Sequence, residues 1–193
     1  DIYTGSSNTI IGIIDGGIDG THPDLSGKVS GDNTWGWNGH GIHVAGIAAA
    51  KTNNFTGIAG VNWNAQILSE RIDNLDDAGI NQKIKNAVNY STNVSVLNNS
   101  WSLLQSQSDP RPRYSTTVRM AFAYAYKQNR VAVCSNGNYQ QLYPNQTYYP
   151  SGFGQGIIAV GATDFIDQVW SSSQVNSSID VSAPGVSIYS TYR

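Results

Sequence analysis

The segment "HGIHVAGIAAA" (residues 40–50) sets His40 and His43 three residues apart, with glycine at 41 and 46. Such a pair can hold a metal, supply a general base, or simply fit a helix. A zinc site built on H-x-x-H needs a third ligand and usually a nearby carboxylate. No acidic residue lies in 40–50, and the next polar side chain is Lys51. A base is the better-placed chemistry. Gly41 and Gly46 permit close backbone approach, and the start of a helix disfavours imidazolium, which leaves the ring able to accept a proton. Such a base requires a carboxylate to fix its tautomer.

The carboxylate candidate lies in "IIGIIDGGIDGTHPDL" (residues 10–25), where Asp15 closes an apolar run and meets Gly16-Gly17. An EF-hand loop would use Asp15, Asp19 and Gly20 at its first, fifth and sixth positions. Its third and twelfth would then be Gly17 and Ser26, which removes the required oxygens. No G-x-G-x-x-G follows the run, so a dinucleotide loop is excluded too. An aspartate that merely caps a turn and an aspartate that orients a histidine remain as the two readings.

Elements must bring the two stretches together. Apolar runs rich in β-branched residues recur at 9–14, 65–70, 94–98, 131–134, 157–162 and 179–183. Between them, Ile80, Ile84 and Val88 repeat at helical spacing, as do Val118, Phe122 and Tyr126. Segment 40–50 is a third helix, with Asn38 or Gly39 near its start. Strands alternating with helices predict one α/β domain, a three-layer α/β/α arrangement around a mostly parallel sheet. Ligands of such sheets bind beyond the carboxyl ends of the strands. Asp15, His40 and Asn138 all fall at that edge. The long loops 99–114 and 138–156 are candidates for lining the site.

Composition narrows the classes. A chain of 193 residues suits one domain with a sizeable core. Charged residues make up 12%, against roughly 25% in average globular proteins, and net charge is −2. That balance gives no footprint for nucleic acid or an anionic membrane. No run is long and apolar enough to span a bilayer, and the opening residues do not read as a signal peptide, which leaves a removed leader open. The single cysteine, Cys134, forms no internal disulfide. Asn-x-Ser/Thr sequons begin at Asn54, Asn89, Asn93, Asn98, Asn145 and Asn176, weak pointers to secretion in a chain rich in Asn and Ser.

Taken together, "IIDGGIDGTHPDL", "HGIHVAGIAAA", "GIAGV" (57–61), "SNGN" (135–138) and "DVSAPGVSIYST" (180–191) resemble the subtilisin-like serine proteases in order and spacing. The resemblance runs from residue 9 to residue 191. It implies that Asp15 is the triad aspartate, His40 the general base, His43 a structural neighbour, and Asn138 the side-chain donor to the oxyanion. It also implies that Ser100, Trp101 and Ser102 line one wall of the main specificity pocket. Ser135, Asn136 and Gly137 line the other wall, and Tyr148 falls near the floor. Substrate would pair with the 99–103 edge as an added strand. A core aromatic is the competing reading of Trp101. Asp24 and Asn54 match positions that supply oxygens to a structural calcium ion, with solvated turn residues as the alternative.

Three positions depart from the family pattern. Gly16 replaces a Ser or Thr whose hydroxyl could bond Asp15, and Ile42 replaces the Thr of H-G-T-H. The third departure is the absence of a G-T-S-x-A nucleophile segment. The resemblance therefore implies an incomplete peptidase domain, short at its C-terminus and trimmed at its N-terminus. Its expected partners are a peptide or protein substrate and a C-terminal remainder, joined or separate, in a secreted or cell-surface setting. The other reading is a non-catalytic binding or scaffold module derived from such a protease. Retention of Asp15, His40 and Asn138 favours the enzyme.

Overall fold

The structure, a computed structural model, describes residues 4–34 and 39–193. Its strands are β1 (Ile10–Asp15), β2 (Val29–Gly31), β3 (Gln66–Arg71), β4 (Val94–Asn99), β5 (Val131–Ser135), β6 (Ile157–Thr163) and β7 (Val181–Pro184). They form one seven-stranded sheet in the order β2-β3-β1-β4-β5-β6-β7. Every paired neighbour is parallel.

The helices are α1 (His40–Ala49), α2 (Asp77–Tyr90) and α3 (Thr116–Lys127). The two longer ones begin at side-chain caps that satisfy otherwise orphaned amides. Asp76 accepts from Gly79 N at 2.8 Å, and Ser115 accepts from Val118 N at 3.2 Å. Helix α1 starts instead at Gly39, whose φ of 62° suits glycine. Asn38 lies outside the described residues.

Alternation along the strands makes the three layers. Ile13 and Ile67 join Ile42, Ala45 and Ala49 of α1 in one apolar cluster. Their chain neighbours Ile14 and Leu68 point the other way and join Ile84 of α2 and Phe122 of α3. A sheet buried on both sides explains why its strands read as continuous apolar runs.

Two features go beyond the sequence reading. Strand β2 carries only three residues and too little pattern to be read from sequence. In α3, Tyr126 is 46% exposed, and Ala121 and Ala125 complete the inward face with Val118 and Phe122. A tyrosine on that stripe keeps its polar end in water, and the alanines let α2 and α3 approach.

The chain leaves β1 toward α1 on one face, whereas the adjacent β4 leads to α3 on the other. This reversal opens a crevice beyond the carboxyl ends of β1 and β4, the usual ligand position in such sheets.

Candidate active site

Asp15 is the last residue of β1 and His40 the first of α1, so both reach the crevice from rigid elements. His40 Nδ1 lies 2.8 Å from Asp15 Oδ1 and 3.0 Å from Oδ2. The carboxylate can only accept, so Nδ1 donates, and Nε2 is left with a lone pair. Asp15 is 5% exposed and the His40 side chain 47%. A buried carboxylate thus orients a half-exposed ring.

The Asp15 hydrogen bond raises the His40 pKa above its ordinary value, with burial opposing and the carboxylate charge assisting. The carboxylate thus acts against the helix start, which by itself disfavours imidazolium. A carboxylate in direct contact outweighs a partial helix charge.

Gly16 does not leave the carboxylate short of donors, because its own backbone N–H reaches Asp15 Oδ1 at 2.7 Å. Ile42 is fully buried in the α1 cluster, so its side chain serves packing. His43 Nε2 meets the carbonyl of Ile188 at 3.0 Å, turned from the couple toward the C-terminal strap. Ser190 and Thr191 donate from that strap to the carbonyls of His43 and Ile42, both at 2.6 Å. One histidine faces the crevice and the other fastens the helix.

Asp15, Gly16, His40, Ile72, Asp73, Ser100 and Trp101 line a cavity of about 320 Å³. Ser100 also borders a second cavity of about 320 Å³, where Asn98, Ser135, Asn136, Gly137 and Asn138 stand. Ser100 therefore joins the Asp15–His40 couple to exposed Asn138. Ile72 and Asp73 were missed in sequence. The available signal was their place directly after β3, at the same sheet edge.

The proposed walls divide in their side-chain roles. Trp101 lines the His40 cavity but also packs on the core, with its ring 6.4 Å from Phe122. Asn136 is buried and donates to the carbonyl of Gln174 at 3.0 Å. Ser102 precedes Leu103, whose N–H reaches Tyr149 O at 2.7 Å and ties the two walls together. Tyr148 is fully buried beneath Gly137.

Asp24 and Asn54 meet as well. Asp24 is fully buried, and its oxygens accept from Asn54 Nδ2 at 2.7 Å and Ile58 N at 2.8 Å. Loop 52–59 encloses a cavity of about 370 Å³ beside them. A carboxylate, an amide and loop carbonyls suit a hard cation in kind. Among the described residues, no three or more His, Cys, Asp or Glu converge as a metal site.

A parallel sheet carrying an Asp–His couple at its switch point, with an asparagine across a shared serine, is an α/β domain with a positioned base at its carboxyl edge. The chain belongs to the subtilase family, whose model matches residues 6–193. It is 39% identical over 201 residues to the thermophilic serine proteinase of Bacillus sp. (strain AK1), covering 99% of this chain and 47% of that protein. Thermitase of Thermoactinomyces vulgaris is 38% identical over 204 residues, covering 100% of this chain and 68% of that one. Among solved structures, the prenylagaramide maturation protease PagA aligns with a TM-score of 0.83 at 20% identity, over 98% of this chain and 67% of that one. A protease of Pseudoalteromonas arctica aligns with a TM-score of 0.81 at 23% identity, over 94% and 64%. These last two likenesses speak for the fold. The chain thus spans about half of the first relative and about two thirds of the second.

Proposed function

We propose that this chain is the larger part of a serine endopeptidase that works through an Asp-His-Ser triad, with the serine on a continuing or second polypeptide. The observation that carries the reading is the Asp15–His40 couple, 2.8 Å apart, lining a cavity with Ser100, which also borders the second cavity where Asn138 stands.

In this mechanism the serine hydroxyl attacks the peptide carbonyl while His40 Nε2 removes its proton. Asp15 holds the Nδ1–H and stabilises the imidazolium that forms. Asn138 donates its side-chain amide to the developing oxyanion. Loss of the corresponding donor in subtilisin costs ~10²–10³ in turnover. His40 then returns the proton to the leaving amine, and water repeats the sequence on the acyl-enzyme. Ser100 and Ser102 border the substrate strand.

Asp24 and Asn54 are proposed to hold a structural calcium ion, for which Asn54 would turn its amide oxygen toward the carboxylate. The ion would tie the β1–β2 connection to the loop that follows α1 and take no part in bond breaking. A secreted or cell-surface setting, where calcium is plentiful, fits that role.

A fluorophosphonate probe tests the enzyme reading on native material. Label is expected on the segment that completes the triad and on no serine of residues 1–193. Label at Ser100 or Ser135 overturns the assignment.

A further inference from the structure

We propose that Tyr148 closes the main specificity pocket, so that the site takes peptides whose residue before the cleaved bond is small, such as alanine, glycine or serine. This specificity rests on the protease reading above.

Tyr148 lies between the two walls, fixed from three directions. Above it, Gly137 has a φ of 101°, and a methyl group there would lie 3.0 Å from Tyr148 Cγ and 3.1 Å from Cδ2. The glycine backbone therefore rests on the ring, leaving no layer between them. At its far end, the Tyr148 hydroxyl donates to the carbonyl of Pro110 at 2.9 Å, in the loop that continues from the Ser100–Ser102 wall. At its side, Tyr139 stacks with ring centroids 5.6 Å apart and planes 23° from parallel.

The ring is 0% exposed. A floor that a substrate side chain could touch would show some surface to solvent, so the cleft closes above Tyr148. Burial pushes the phenol up to about 12, and it remains a neutral donor to Pro110 across the working range. A large aromatic could enter only if Tyr148 left, which would break the Pro110 bond, undo the Tyr139 stack and expose the ring. The cavity between the walls is bordered by Ser100, Ser135, Asn136 and Gly137, and Tyr148 does not line it. Those side chains carry no charge to pair with a lysine or arginine of the substrate.

Binding of cleavage products reads this site without any nucleophile. Two tetrapeptides with free C-terminal carboxylates, differing only in a last residue of alanine or phenylalanine, are titrated into the chain by calorimetry. The alanine peptide is expected to bind about tenfold tighter or more, within the roughly 10–200-fold range of hydrophobic-pocket discrimination. Tyr148→Gly is expected to reverse the order by opening space for the aromatic ring. Tyr148→Phe keeps the ring in place and is expected to retain the alanine preference. Equal binding, or a phenylalanine preference in the wild-type chain, overturns the closed pocket and leaves the protease reading standing. Binding of neither peptide brings down the protease reading and the specificity with it. If Tyr148→Gly loses its folded circular-dichroism signal, the wild-type and Tyr148→Phe titrations decide.

Discussion

A methyl group on Gly41 would lie 2.4 Å from the carbonyl oxygen of Gly17, and 3.3 Å from Asp15 Oδ1. Helix α1 thus begins in direct contact with the turn that follows β1, and this contact sets the Asp15–His40 spacing. Gly41→Ala must push the helix start away from that turn. Overpacking of this kind costs about 1–3 kcal/mol. Misplacement by about 1 Å can lower turnover ~10²-fold. Urea unfolding and peptide hydrolysis by the completed enzyme measure both effects, and unchanged values would show that the contact is slack.

His40 and His43 separate by function. His40→Ala in the completed enzyme is expected to abolish hydrolysis, since loss of one triad member costs ~10⁶ in turnover in subtilisin. His43→Ala removes the bond to Ile188 O, loosens the strap on α1 and acts chiefly on the melting temperature. Similar turnover losses for both variants would contradict the assignment.

The Asp15–His40 couple also fixes the sign of two pH effects. His40 has a raised pKa in the folded protein. Its stabilising contribution is complete below the ordinary histidine value near 6.5 and fades as pH rises through the folded-state value. Activity runs the opposite way, because only the neutral ring accepts the serine proton, so turnover climbs across the same window. Asp15→Asn should return the His40 titration toward its ordinary value, as read from the ring-proton shifts in NMR. Identical titrations in the two proteins would remove Asp15 as the cause.

Much of this site was legible because it sits where chain order and sheet order coincide. Asp15 closes a β-branched run and His40 opens an alanine-rich helix, so both had to reach one sheet edge. Residues joined across long stretches of chain left no such signal. The Ile188–Thr191 strap lies 145 residues from His43 at its bond to Ile188, and only folding brings them together. The match places Tyr148 near the floor of the pocket, whereas its burial depends on Gly137, Tyr139 and Pro110 converging on it. The balance at His40 was hidden for a related reason, since the distance to Asp15, which opposes the helix start, is set only by the fold.

Calcium at Asp24 and Asn54 makes a measurable demand on stability. An ion bound only by the folded state at a hundred times its dissociation constant adds ~2.7 kcal/mol. For a domain of this size that corresponds to roughly 5–10 °C in melting temperature. Chelation is therefore expected to lower the melting temperature, and Asp24→Asn to abolish the difference between chelated and calcium-loaded samples. A melting curve indifferent to chelator would remove calcium from the account.

The last prediction concerns the face of the sheet that α1 leaves open. Ala132 and Cys134 point into the α2–α3 cluster, so Val131 and Val133 face the other way. On that side Val133 pairs with Ile158, and Val160 with Val181. Helix α1 packs on β1 and β3 and does not extend over these strands. Val131 is 42% exposed, Ile158 38% and Val181 50%. Clustered apolar surface of this kind marks an interaction site. The proposed serine-bearing segment is its natural cover, since the same face borders Asn138 through the cavity at Ser135 and Gly137. Residues 1–193 alone should therefore bind a hydrophobic dye and self-associate. Ile158→Ser with Val181→Ser should weaken dye binding while changing the chain's own stability by only ~0.5 kcal/mol per site, as for other surface positions. In the completed enzyme the same two changes should each cost about 1.5–3 kcal/mol, because there the side chains would be buried. Equal, small costs in both forms would show that nothing covers this face, and the serine would have to reach His40 from another direction.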